Sequence, residues 1–339
     1  MINNSISCGI LGFGLYFPDH VRTYKDIAAL SGLPEDVVHN KLGINQTYYP
    51  GEKDQTSDMA VWAAQDCLRK TGVDPSDIDL IIYFGENYAE YPIFSMGAKV
   101  QGSIGAVNSW YYDMDCKCGS CIVAMDQAKK YMMCDRDINT VMIAAGYRNV
   151  DKVDYRDPSL TFIYDVSCAG AAAILKKGHE RRVVLESANL ADGRFAEAIV
   201  IPGGGSKTPF TPQNIADDYL KYFRLADPSK FREELGAVTM QNLARVTKMA
   251  CAKSGLSISD VDFVCPLHMK PSAHCQLLTD LGVAVEQSFY LSDFGHTGQL
   301  DALISMQIAD EKKLIQEGDV VALVAMGLGY NWTSGIVRW

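Results

Sequence analysis

The sequence predicts an α/β protein built from two related halves and stacked as five layers, α/β/α/β/α. Three observations predict it. A helix–turn–strand unit occurs twice. Gly72-Val-Asp-Pro-Ser-Asp-Ile-Asp-Leu-Ile-Ile-Tyr-Phe84 resembles Gly255-Leu-Ser-Ile-Ser-Asp-Val-Asp-Phe-Val-Cys-Pro-Leu267, and amphipathic helices over 58–69 and 240–253 precede the two copies. Each copy reads as a glycine helix stop, a short acidic turn and a buried strand. Elsewhere, β-branched runs alternate with helical periods. No low-complexity linker interrupts the chain, so the first half (residues 1–170) should pack tightly on the second (171–339). The competing explanation is that the shared unit is one that many α/β proteins contain.

Taken in order, Trp110 to Met114 reads as a short strand that meets a turn of small residues. A helix follows, with Ile122, Met125, Ala128 and Met132 on one face. Thr140 to Ala145 is a strand, and the small residues of Ala169 to Leu175 suit close packing. Arg182 to Ala188 and Ala196 to Ile201 carry β-branched runs. Gly203 to Lys230 begins turn-rich and reads as a surface excursion over the second half. Val320 to Ala325 is a buried strand, and a last strand covers Thr333 to Trp339.

The bulk numbers exclude several classes. At 339 residues, 48% hydrophobic and 21% charged, the chain can bury the core of one large or two medium domains. No apolar run reaches the roughly 18 residues that a membrane span needs. Met1 to Ser7 is polar, without the basic start of a signal peptide. A net charge of −10 without a basic cluster argues against nucleic acid or an anionic membrane as partner. Ten cysteines without a secretion signal read as reduced thiols in a cytoplasm, most of them small buried hydrophobes.

Cys118 stands apart because it sits where a strand turns into a helix. A thiol at a helix N-terminus feels free N–H groups and the positive end of the dipole, which favours the thiolate that a thioester-forming nucleophile needs. Gly119 and Ser120 leave room for a substrate. Cys116, Cys118 and Cys121 could instead be metal ligands, but no second Cys/His pair with zinc spacing accompanies them. They could also be three buried cysteines at a helix start. Of six histidines, two lie where catalysis is plausible. His268 directly follows the second repeat strand, and strand carboxyl ends are where catalytic groups gather in α/β folds. His296 lies in a glycine-flanked turn before a helix over 300–309. A histidine in either place is, taken alone, more often structural than catalytic, and His274 is less favoured.

With these motifs in place, the chain resembles β-ketoacyl-acyl-carrier-protein synthase III and its relatives in the thiolase superfamily, over essentially its whole length. Gly9-Ile-Leu-Gly-Phe-Gly-Leu-Tyr-Phe-Pro18 is similar to the family's opening strand, and Lys41-Leu-Gly-Ile44 and Thr56-Ser-Asp-Met-Ala60 to the motifs that follow. Asp113-Met-Asp-Cys-Lys-Cys-Gly-Ser120 resembles the nucleophile region, with Cys118 at the catalytic position. Pro266-Leu-His268 resembles the first catalytic histidine, with one more residue than usual after the proline. Gly327-Leu-Gly-Tyr-Asn-Trp332 and Val337-Arg-Trp339 resemble the C-terminal signature.

The resemblance implies a thiolase-like fold of two duplicated halves, a homodimer, an acyl-CoA or acyl-carrier-protein donor, a malonyl thioester, and no metal or organic cofactor. Three departures stand out. Phe294-Gly-His296 places a histidine where the family has asparagine. Val37 and Lys41 stand where the family grips coenzyme A with tryptophan and arginine. Met269-Lys-Pro-Ser-Ala273 lacks the usual asparagine and an arginine associated with carrier docking.

Two enzymatic readings follow. In the first, Cys118 becomes acylated, and backbone N–H groups of Cys118 and Leu328 hold the oxyanion. His268 and His296 then hydrogen-bond the malonyl thioester carbonyl as CO2 leaves, and the enolate attacks the acyl group. In the second, a histidine acts as base and the acyl group passes to a hydroxyl or amine. Loops such as Tyr88 to Met96 and Phe210 to Phe223 should line the acyl pocket, but their aromatic residues could equally be dimer contacts or ordinary core. A third reading is a non-catalytic partner subunit or a structural metal protein.

Overall fold

The computed structural model describes residues 7–85 and 88–339. Nine strands form the main sheet: β1 (Cys8–Tyr16), β2 (Leu80–Phe84), β3 (Trp110–Met114), β4 (Thr140–Tyr147), β5 (Ala169–Lys177), β6 (Val183–Ala191), β7 (Phe263–Pro266), β8 (Val320–Gly327) and β9 (Asn331–Arg338). Their spatial order is β7-β8-β9-β6-β1-β5-β4-β2-β3. The two blocks, β1 to β5 and β6 to β9, meet at a single pair, Gly9 with Val183.

The strand order proves the duplication. In the first block β2 pairs β4 in parallel, β4 pairs β5 antiparallel, and β5 pairs β1 antiparallel. In the second, β7 pairs β8 in parallel, β8 pairs β9 antiparallel, and β9 pairs β6 antiparallel. The repeated sequence unit supplies β2 and β7, which hold equivalent positions. Where β3 flanks β2, the second block has only an isolated parallel bridge, Val264 with Ser288.

Among the described residues, seven helices of eight residues or more complete the layers: α1 (Tyr24–Ser31), α2 (Thr56–Thr71), α3 (Met96–Ile104), α4 (Ser120–Cys134), α5 (Gly236–Lys253), α6 (Pro271–Leu281) and α7 (Asp301–Glu311). The repeat's glycine stops are real. Gly72 and Gly255 take φ of 69° and 72°, left-handed values that glycine adopts without cost. Helix α2 packs on β1, β4 and β5, with α3 beside it; α5 packs on β6, β8 and β9, with α6 beside it. Helices α4 and α7 touch strands of both blocks and so form the central layer. That position explains their sequences. Ile122, Met125, Ala128 and Met132 of α4 are all buried, and α7 is buried almost all round. Each such large apolar side chain contributes about 1.5–3 kcal/mol.

Close approach of α2 to its sheet depends on Gly146 and Gly170. A Cβ at Gly170 would run into the backbone of Met59, and one at Gly146 into the backbone of Thr56. The run of small residues over 169–175 is thus a strand, β5, carrying a helix on its face. Of the run Ala196 to Ile201, only Ile199–Val200 is extended, paired with Arg224–Leu225. Most of 203–230 is exposed, as a surface excursion should be. Among the described residues, no helix is long and apolar enough to cross a membrane.

Candidate active site

Both central helices begin at one place. A 3-10 turn, Lys117–Gly119, runs into α4, and another, Gly298–Leu300, runs into α7. Cys118 sits in the first and His296 stands just before the second. The nucleophile turn is tightly held. Lys117 adopts φ 52°, a left-handed value costing a non-glycine residue about 1 kcal/mol. Hydrogen bonds offset it: Cys116 N–H donates to Ser120 Oγ (2.7 Å), Ser120 Oγ–H to the Lys117 carbonyl (2.7 Å), and Lys117 N–H to Asp115 (2.7 Å). From the start of β9, Asn331 Nδ2 donates to the Cys116 carbonyl at 3.2 Å, beside the β8–β9 turn. Gly327 allows this turn to close against the nucleophile loop, since a Cβ there would meet Lys117 Cβ at 2.9 Å. Leu328 follows in that turn.

Residues far apart in sequence converge here. Cys118 Sγ lies 3.4 Å from His296 Nε2. His296 Nδ1 lies 2.7 Å from Asp301 Oδ2, at the first position of α7. The same Oδ2 accepts the backbone N–H of His268 at 2.7 Å, while Oδ1 accepts Thr297 N–H (2.8 Å) and Oγ1–H (2.6 Å). Asp301 therefore ties both histidine loops together. Asp165 does the same from the other side. Its Oδ2 lies 2.7 Å from His268 Nδ1, and its carbonyl accepts the N–H of His296 at 2.8 Å. His268 and Asp301 are 4% and 1% exposed.

The electrostatics follow from this packing. Burial disfavours charge on His296, but the Asp301 carboxylate and Cys118 outweigh it and hold the imidazole's pKa well above its ordinary value. Burial also pushes Asp301 up, yet His296 and the Thr297 and His268 donors leave its pKa below the ordinary carboxylate value. Burial, then Asp115, raises the Cys116 thiol, and burial raises Cys121. Of the clustered cysteines, only Cys118 has an imidazole partner among the described hydrogen bonds. No group of three or more His, Cys, Asp or Glu side chains among the described residues is arranged to hold a metal ion.

The remaining expected residues lie around this centre. Val37 (half-buried) and Lys41 (exposed) are the ends of a π-helical turn that touches α6. Gly43 beside it packs on Tyr290, whose ring is 5.0 Å from that of His268. His274 lies on the far side of Tyr290, its pKa pushed down to about 4 by burial and by His268. A cleft of about 420 Å³ borders Asp115 and is lined in part by Tyr91, Phe94 and Met96 of the expected acyl-pocket loop; no residue of 210–223 lines it. Asp165 and Asp301 are the residues of this centre that the sequence did not single out. Each is a single acid amid apolar neighbours, the one signal that could have drawn notice.

Known proteins resemble this chain over almost its whole length. Residues 112–193 match the family described as 3-oxoacyl-[acyl-carrier-protein (ACP)] synthase III, and residues 251–339 match its C-terminal counterpart. A β-ketoacyl-[acyl-carrier-protein] synthase III of Symbiobacterium thermophilum is 25% identical over 333 residues, 98% of each chain. The crystal structure of the 3-oxoacyl-[acyl-carrier-protein] synthase III of Aquifex aeolicus superposes with a TM-score of 0.83 at 21% identity, covering 98% of this chain and 100% of that one. The priming β-ketosynthase of the R1128 polyketide pathway gives 0.84 at 18% identity, covering 98% and 96%. At such identities the structural likenesses speak for the fold.

Proposed function

The chain belongs to the 3-oxoacyl-[acyl-carrier-protein] synthase III family, and from that premise we propose that Cys118 carries an acyl group into carbon–carbon bond formation with a malonyl thioester. The protein is an acyltransferase of the condensing type. The observation that carries the site assignment is the Cys118–His296–Asp301 chain, with contacts of 3.4 and 2.7 Å. Cys118 gives its proton to His296 Nε2 and attacks the thioester of an acyl-CoA or acyl-carrier protein. The backbone N–H groups of Cys118 and Leu328 receive the oxyanion. The donor leaves as its thiolate, which takes a proton from water, and Cys118 is acylated.

His296, now an imidazolium with Nδ1–H on Asp301, turns its Nε2–H to the carbonyl of the entering malonyl thioester. Loss of CO2 leaves an enolate stabilised by that donor. The enolate carbon attacks the acyl carbon, the bond to sulfur breaks, and the Cys118 thiolate returns beside His296. The chemistry asks for no metal or organic cofactor. Lys41 and Val37 edge the region where coenzyme A would enter.

A homodimer fits the surface. Strand β3 ends the sheet, and Trp110, Tyr111, Val107, Tyr91 and Ile93 near it are exposed apolar residues. A reducing cytoplasm suits an enzyme that depends on a free thiol. The test is malonyl-dependent CO2 release in the presence of acyl-CoAs of graded length, with product identified by mass. A 3-oxoacyl thioester formed by the native chain and absent with Cys118→Ala supports the reading; CO2 release unaffected by that substitution refutes it.

A further inference from the structure

The two histidines are held alike but left with different work. His296 has Nε2 engaged with Cys118. His268 does not: its Nε2 is buried without a hydrogen-bond partner, and so is Asp165 Oδ1 beside it. The His268 side chain is wholly buried against Asp165, with Nδ1 2.7 Å from the carboxylate. A carboxylate can only accept, so Nδ1 carries the proton. In the neutral ring Nε2 then holds a lone pair and no hydrogen. His268 so oriented accepts a proton directly, whereas it can donate to a carbonyl only after gaining one. Buried polar atoms are seldom left unpaired, so an orphaned Nε2 marks a place that a reacting group fills.

Resting on the acyl-Cys118 reading, we propose that Asp165 is a positioning residue that fixes His268 as general base for the acceptor, so that the acyl group also passes to an alcohol or primary amine. The step balances. The acceptor's O–H or N–H proton moves to His268 Nε2 as its oxygen or nitrogen attacks the acyl carbon. The carbon–sulfur bond breaks, and the sulfur of Cys118 regains the proton from His268. An ester or amide leaves. A malonyl thioester needs no such base, because loss of CO2 generates its nucleophile. The two acceptors therefore separate the roles of the two histidines.

Asp165→Asn is the informative variant. With Nδ2 turned to the ring, the amide donates to Nδ1 and puts the neutral ring in the Nε2–H form, which can donate but not accept; with Oδ1 turned to it the tautomer is unchanged, and His268→Gln then decides. Discharge is measured in single turnovers from enzyme already acylated on Cys118, with n-propanol and n-propylamine as one class of acceptor and malonyl-CoA as the other. The rate ratio of alcohol or amine discharge to malonyl-dependent CO2 release should fall about 100-fold, the lower reach of a positioned base. The solvent deuterium isotope effect on propanol discharge should vanish with it. His268→Gln, which cannot act as base, should lower the ratio equally, a control should Asp165→Asn fold poorly. A ratio unchanged in both variants, equal losses with both acceptors, or native enzyme that discharges to malonyl-CoA alone would overturn the proposal. Failure of the native chain to gain acyl mass would overturn the acyl-Cys118 reading first, and is read separately.

Discussion

Replacing Asp301 by asparagine should cost far more than its single lost charge suggests. Four donors converge on two oxygens: His296 Nδ1–H and His268 N–H on Oδ2, Thr297 N–H and Oγ1–H on Oδ1. An amide offers one oxygen and one NH2 group. Whichever way it turns, a buried backbone N–H of His268 or Thr297 faces another donor. An orphaned buried donor costs about 1–3 kcal/mol, and a hydrogen bond to a charged partner contributes about 1.5–3 kcal/mol. The sum is roughly 2.5–6 kcal/mol, a range that spans the cost of breaking a buried ion pair.

The pH dependence follows from the same pair. His296 is raised above its ordinary 6.5, so its contribution is full below that pH and is lost as pH climbs through the folded value. Asp301 is lowered below its ordinary 3.8, so its contribution is full above that pH and is lost as pH falls through the folded value. The penalty of Asp301→Asn should be largest between these two ordinary values and shrink toward alkaline pH. Urea unfolding with an unchanged m-value measures it. A cycle with His296→Ala should show the two substitutions costing less together than separately. A penalty under about 1 kcal/mol, or strict additivity with His296→Ala, would refute a role for Asp301 as the shared anchor.

Other predictions are more local. In His296→Ala, alkylation of Cys118 by iodoacetamide near neutral pH, read on the Cys118 peptide, should slow at least about tenfold, because the thiolate loses its proton acceptor. Undiminished labelling would contradict the pairing. Gly170→Ala should destabilise by about 1–3 kcal/mol, as a methyl group meets the Met59 backbone where α2 crosses β5. Calorimetry checks it, and a neutral result would mean the helix can lift away freely.

The repeat over 72–84 and 255–267 was enough to foresee the duplicated architecture, because local chemistry fixes it: a left-handed glycine, an acidic turn and a run of apolar residues. The helix behind Cys118 was legible for the same reason, through the spacing of Ile122, Met125, Ala128 and Met132. What the sequence could not display was pairing across distance. His268 and Asp165 are 103 positions apart, and Cys118 and His296 are 178 apart. No periodicity encodes such contacts. The second half's missing partner for β7 was equally hidden: around Ser288 only one bridge replaces a strand. Of the loop over 210–223, Phe210 and Tyr219 are exposed and Phe223 is buried, and none of its residues lines the cleft beside Asp115.

In the proposed reaction one sulfur holds the acyl group between donor and acceptor. Intact mass after mixing with an acyl-CoA, followed by peptide mapping and a malonyl-CoA chase, tests it directly. One acyl adduct should form, on the peptide bearing Cys118, and disappear on the chase as CO2 and a 3-oxoacyl thioester appear. An adduct on another cysteine, or one that persists through the chase while product forms, would contradict it.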